Sequence, residues 1–155
     1  MASFRFLYRQ PEGTIGPGLW ARASAAPVAI TLALTALAWA VSPGPRDLKT
    51  QPFISVSIVA VHAYLILYGF ALLLLAVAQY FVSAKRFNDL NMPPALAGLA
   101  PFSLLLAGAA TWVQPRSEGG MPAWAVYPFY AFAIGVLIWN IVALGFMKHR
   151  PAPRR

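Results

Sequence analysis

The chain contains no cysteine, which excludes disulfides, thiolate nucleophiles, cysteine-ligated zinc, iron–sulfur clusters and c-type haem attachment in one step. It is also short of charge. Only 10% of its 155 residues are charged, against about 25% in an ordinary soluble domain. Asp and Glu number 4 and His 2, so the groups most used for proton transfer and metal binding are scarce. What is abundant is apolar surface: 59% of residues are hydrophobic and the mean hydropathy is +0.63. The charged side chains present are too few to keep that much apolar surface in water.

An apolar helix of about 18 or more residues crosses roughly 30 Å of hydrocarbon. Four stretches qualify, at about 23–41, 53–82, 92–113 and 123–147. The first is closed by Ser42-Pro43-Gly44-Pro45, a strong helix-stopping cluster. The second exceeds what a bilayer needs and must tilt or protrude. A short Gly- and Pro-containing turn after Val113 makes the last two helices an antiparallel pair. None of the segments alternates as barrel strands do. The expected fold is therefore all-α, one integral membrane four-helix bundle over 1–155, with 1–22 and 148–155 as short tails. Pro27, Pro101 and Pro128 fall inside spans and are expected to kink them. Ala38-Trp39-Ala40 fits a signal-peptide cleavage pattern, but the long Gly- and Pro-rich segment before the first span favours a retained helix.

Basic residues set the orientation. Arg5, Arg9, Arg22, Lys85, Arg86, Lys148, Arg150, Arg154 and Arg155 fall on one side of a four-span chain, and Arg46, Lys49 and Arg116 on the other. With Glu12 and Asp89 counted on the first side and Asp47 and Glu118 on the second, the balance is +7 against +1. The positive-inside rule places both termini in the cytoplasm. Trp39, Trp112 and Trp124 then mark the outer interface, and Trp20 and Tyr80 the inner one. The net charge of +8 is thus an orientation signal. Its basic residues are spread over three segments, without the single aromatic–basic surface that nucleic acid requires.

The chemically densest run is Ser83-Ala84-Lys85-Arg86-Phe87-Asn88-Asp89-Leu90-Asn91, at the cytoplasmic end of the overlong second helix. Lys85 and Arg86 each stand three or four residues from Asp89, so either base can pair with the acid. Asn91 and Pro93 are helix-ending residues. Two readings stand beside each other: a stop-transfer charge cluster, and a lipid- or partner-binding site in which Lys85, Arg86, Asn88 and Asp89 hold an anionic headgroup.

This run, between two membrane segments, resembles the signature of the small four-helix bacterial inner-membrane proteins called "domain of unknown function 805", whose motif has the form R-R-L-H-D-x-G-x-S-G-W. Lys85 and Arg86 match its basic pair, Phe87 its apolar position and Asp89 its acid. Asn88 replaces the histidine, Asn91 the glycine, and Met92-Pro93-Pro94 the Ser-Gly-Trp region. The resemblance covers about ten residues. It implies a compact bacterial inner-membrane protein and supplies no reaction.

Inside the spans the costly polar groups are His62, Gln79 and Asn140. His62 and His149 fall at opposite ends of the bundle, so one chain cannot give a bis-histidine haem. A neutral His62 bonded to Thr31 or Tyr130 is expected, with Gln79 and Asn140 as interhelical hydrogen bonders. Ala25, Ala29 and Ala33, and Ala131 and Gly135, permit close helix approach within the chain or with a partner. No acid lies inside a span, and no metal set, phosphate loop or nucleophile–base spacing occurs. No cofactor is expected.

The function expected is non-catalytic: an accessory or assembly subunit packed against other membrane subunits or a second copy, in contact with anionic lipids and without nucleic acid. The alternative is a lipid- or small-molecule-handling protein built on Lys85, Arg86 and Asp89.

Overall fold

The computed structural model of the chain describes residues 3–41, 55–117 and 120–147. The Ser42 to Pro45 cluster, Arg46, Asp47, Lys49, Phe53, Glu118 and everything from Lys148 on, His149 included, lie outside them. Five α-helices follow one another: α1 (Phe4–Arg9), α2 (Pro17–Val41), α3 (Val56–Asp89), α4 (Leu99–Val113) and α5 (Tyr127–Phe146). Short 3-10 turns lead into α4 (Pro94–Gly98) and α5 (Ala123–Val126). No strand occurs among the described residues. The four long helices are long and apolar enough to cross a membrane, which makes this a multi-pass membrane architecture.

Helix boundaries follow local chemistry. Ser3 caps α1 by accepting from the Phe6 amide, and Ser55 caps α3 by accepting from that of Ile58. At 34 residues α3 is about 51 Å long, and it runs on past the apolar stretch to Asp89. It stops at Asn91, whose φ of 54° is a left-handed conformation that glycine and asparagine tolerate best. The Met92 amide then donates to Phe87 O at 2.9 Å and the Asn91 amide to Asn88 O at 3.1 Å. This paired closure satisfies carbonyls that would otherwise be open, and Met92 packs back against the cluster around Phe87.

The three prolines of the spans do not sit alike. Pro128 is the second residue of α5 and Pro101 the third of α4. In a first turn the missing N–H would have been unpaired anyway, so neither need bend a helix. Only Pro27 lies in a helix interior, ten residues into α2.

The four long helices form two hairpins, α2 on α3 and α4 on α5. Tyr64 Oη donates to Leu34 O at 3.1 Å and Thr35 bonds Tyr68 at 3.0 Å in the first; Thr111 bonds Tyr130 at 2.6 Å in the second. The hairpins meet at one end, here called the foot, where α2 and α4 begin and α3 and α5 finish. There Ala84, Phe87, Leu90, Ala97 and Leu144 form one buried cluster, and Ile15, Ala23 and Val82 another. Toward the opposite end, the rim, the helices face outward: Trp39 is 85% exposed there, and Trp112 and Trp124 are exposed too.

The N-terminal segment is not a loose tail. Residues 3–22 fold over the foot, with Phe6, Leu7 and Tyr8 of α1 against the Ile15 cluster. α2 starts at Pro17, six residues before the apolar run does. Gly13, at φ 100°, turns the chain between α1 and α2 with Phe6 against it.

Candidate functional site

The six residues from Val82 to Phe87 are all buried, in a helix whose apolar span above them is largely exposed. Lys85 and Arg86 are both 0% exposed. The expectation of cations facing lipid headgroups is therefore corrected: both turn inward, onto the chain's own carbonyls.

The last carbonyls of any helix lack intrahelical donors and carry the negative end of its dipole. Lys85 Nζ serves those of α1. It donates to Leu7 O at 3.3 Å, to Gln10 O, and to Phe81 O of its own helix at 3.3 Å, with the Phe6 ring centroid 5.1 Å away. An ammonium has three hydrogens, and here each has a carbonyl. Arg86 does the same for α5: Nε donates to Leu144 O at 2.9 Å and Nη2 to Met147 O, while Nη1 bonds Asp89 Oδ2. Of the two expected pairings with Asp89, the one with Arg86 forms; Lys85 points the other way. Successive side chains on a helix diverge by about 100°, so adjacent cations reach opposite neighbours. Phe87 stacks on Trp139 of α5 at 5.6 Å between ring centroids, and Asn88 Nδ2 donates to Gly13 O at 3.3 Å. Consecutive residues of one helical turn thus fasten the N-terminal segment and α5 to α3.

A second fastening brings in Tyr8 and Ala23, which sequence reasoning did not single out. Pro27 has no N–H, which leaves the Ala23 carbonyl, four residues earlier, without its helical donor. Tyr8 Oη donates to that carbonyl at 2.8 Å. Pro27 inside a span signals the orphan carbonyl from sequence; that a tyrosine 15 residues upstream supplies the donor depends on α1 folding back.

Above this, Gln79 bridges α2 and α3 as expected. Its Nε2 donates to Ser24 Oγ at 3.0 Å and to Ser83 Oγ at 3.4 Å, and Trp20 Nε1 donates to Ser83 Oγ at 3.4 Å. Gln79 Oε1 is buried without a hydrogen-bond partner among the described residues.

The other intramembrane polar residues depart from expectation. Asn140 is buried, but its Nδ2 donates to Val136 O of its own helix at 3.0 Å, not to a neighbouring helix. A side-chain amide reaches its own i−4 carbonyl without leaving its helix. His62 bonds neither Thr31 nor Tyr130; its Nδ1 is 2.7 Å from Ile58 O, one turn back on α3, and the residue is exposed on the outer face. Tyr130 is instead taken by Thr111. Among the described residues no three His, Asp or Glu side chains gather where a metal ion would be held.

Comparison with protein-family models, with curated proteins and with solved structures finds no match to this chain. The geometry therefore carries the functional reading. The densest polar cluster fastens helices together, and the surface left open is the outward face of the spans.

Proposed function

We propose that the chain is a non-catalytic, multi-pass protein of the bacterial inner membrane, with both termini cytoplasmic, that acts as an accessory or assembly subunit by packing its outer helix faces against another membrane subunit. The observation that carries this reading is His62. It lies on an outward stripe of α3 with Val59, Ile66, Phe70, Leu73 and Val77, all exposed, at the three- and four-residue spacing by which helices pack. Its Nδ1 is met by Ile58 O of its own helix, while the other ring nitrogen, on a face turned to lipid, is costly there and is the group a neighbouring helix would satisfy.

Two features support it. Gly69 lies on the same face with nothing within 4 Å of where a Cβ would stand, which leaves room for close helix approach. Ala25, Ala29 and Ala33, and Ala131 and Gly135, are also exposed, so neither small-residue ridge is covered by the described residues. The lipid-handling alternative at Lys85, Arg86 and Asp89 loses support, because the donors it needs are spent on backbone carbonyls. The inner-membrane location and the orientation rest on the resemblance of residues 83–90 and on the distribution of Lys and Arg.

The test is purification of the tagged chain from its native membranes in mild detergent. A stoichiometric membrane partner is expected with the wild type and is expected to be lost from His62→Leu and Gly69→Leu, both of which still fold. A partner-free monomer from the wild type, or a partner retained by both variants, refutes the proposal.

A further inference from the structure

The fastening at the foot leaves a different set of cations facing outward. Arg5 and Arg9 of α1, and Arg22 in the second turn of α2, are exposed. Arg5 and Arg9, four residues apart, share one face. Phe4 beside them is 67% exposed, with its ring 5.0 Å from that of Tyr8. Arg22 spends Nε on Gly18 O at 3.3 Å, which leaves its two terminal amino groups outward. Against these three arginines residues 3–22 contain one acid, Glu12.

Their depth can be read from the helices that hold them. The Gln79–Ser24 pair joins α2 to α3 just above the buried run that begins at Val82. From Gln79 up to Val59 is about 30 Å by helical rise, the thickness of the hydrocarbon layer. Tyr8 is tied to Ala23, and the α1 carbonyls to Lys85, six residues below Gln79. With the hydrocarbon layer taken to run from Val59 to Gln79, α1 falls within about 9 Å of its boundary and Arg22 within about 3 Å of it. This is the depth of lipid phosphates. Guanidinium groups bind phosphate oxygens in pairs, and an aromatic residue beside basic ones on a short helix at this depth enters the acyl boundary.

We propose that the outer face of α1, with Arg5, Arg9 and Phe4, together with Arg22 of α2, is a binding surface for anionic phospholipid headgroups in the leaflet around the foot. It stands independently of any protein partner, since it lies on a different face from His62. The buried Lys85, bonded to Leu7 O and Gln10 O, holds α1 in place.

The experiment is native mass spectrometry of the full chain released from nanodiscs containing equal phosphatidylglycerol and phosphatidylcholine. Wild type is expected to retain phosphatidylglycerol in excess. Each arginine changed to glutamine is expected to lower that preference up to about fivefold, and Arg5→Gln/Arg9→Gln/Arg22→Gln to abolish it while the circular dichroism melt is unchanged. Arg5→Lys/Arg9→Lys, which keeps the charge, is expected to retain most of it. No preference in the wild type, or the same preference in the triple glutamine variant, overturns the proposal. So does a preference lost only when Lys148, Arg150, Arg154 and Arg155 are neutralised, which would assign the lipid to the C-terminal tail.

Discussion

Tyr8 and Pro27 are expected to be energetically coupled although they lie on different helices and 19 positions apart. Pro27 withdraws the donor that the Ala23 carbonyl would have had, and Tyr8 Oη supplies another at 2.8 Å. Ala23 is 5% exposed, so water is a poor substitute. Tyr8→Phe removes the hydroxyl and little else. A hydrogen bond contributes about 1 kcal/mol net, and a buried carbonyl left unsatisfied costs about 1–3 kcal/mol, so a loss of about 1–2 kcal/mol is expected. In a Pro27→Ala background residue 27 has its own N–H, the Ala23 carbonyl regains its helical bond, and Tyr8→Phe should then cost less than about 0.5 kcal/mol. The coupling energy of the cycle is thus about 1 kcal/mol or more, within the range of directly interacting residues. Unfolding by sodium dodecyl sulfate in mixed micelles, followed by tryptophan fluorescence, measures all four variants; Trp20 packs beside Ala23 and reports the foot. Equal cost of Tyr8→Phe in both backgrounds would falsify the reasoning, because the hydroxyl would then contribute independently of the carbonyl that Pro27 leaves open.

The same assay checks three more expectations. Arg86→Met strips Leu144 O, Met147 O and Asp89 of one buried donor group and should cost about 3–5 kcal/mol, with Arg86→Lys intermediate because an ammonium cannot span the same acceptors; a change below about 1 kcal/mol would mean that the guanidinium does not fasten α5. Asn91→Val should cost about 1–2 kcal/mol more than Asn91→Gly, since only valine is strained at positive φ; equal effects would place the end of α3 elsewhere. Gln79→Met should stay within about 1 kcal/mol of wild type, because the two bonds lost from Nε2 are offset by removing the orphaned Oε1, and a loss above about 2 kcal/mol would show that Oε1 has a partner.

Much of the architecture is legible along the chain because each spanning helix is specified by its own residues. A backbone in hydrocarbon has no option but to satisfy itself within the segment, so apolar length alone located α2, α3, α4 and α5, and the excess length of α3 past Val82 followed from the same count. Asn91 and the Arg86–Asp89 pair were readable for a similar reason, as contacts within one or two turns. What tertiary structure decided is where the side chains of those helices point. Hydropathy marks Lys85 and Arg86 as helix-end cations, and on an isolated helix they would face phosphates. They are buried because α1 folds back and α5 ends beside them, and each brings unpaired carbonyls that a cation satisfies better than water does in a closed space. Neither α1, six residues long, nor the end of α5 marks itself in sequence as the partner of position 85 or 86. His62 shows the converse. Sequence places it in a span and polarity argues for an internal bond, yet the rotation of α3 against α2 turns it outward, and that rotation is a property of the packed pair.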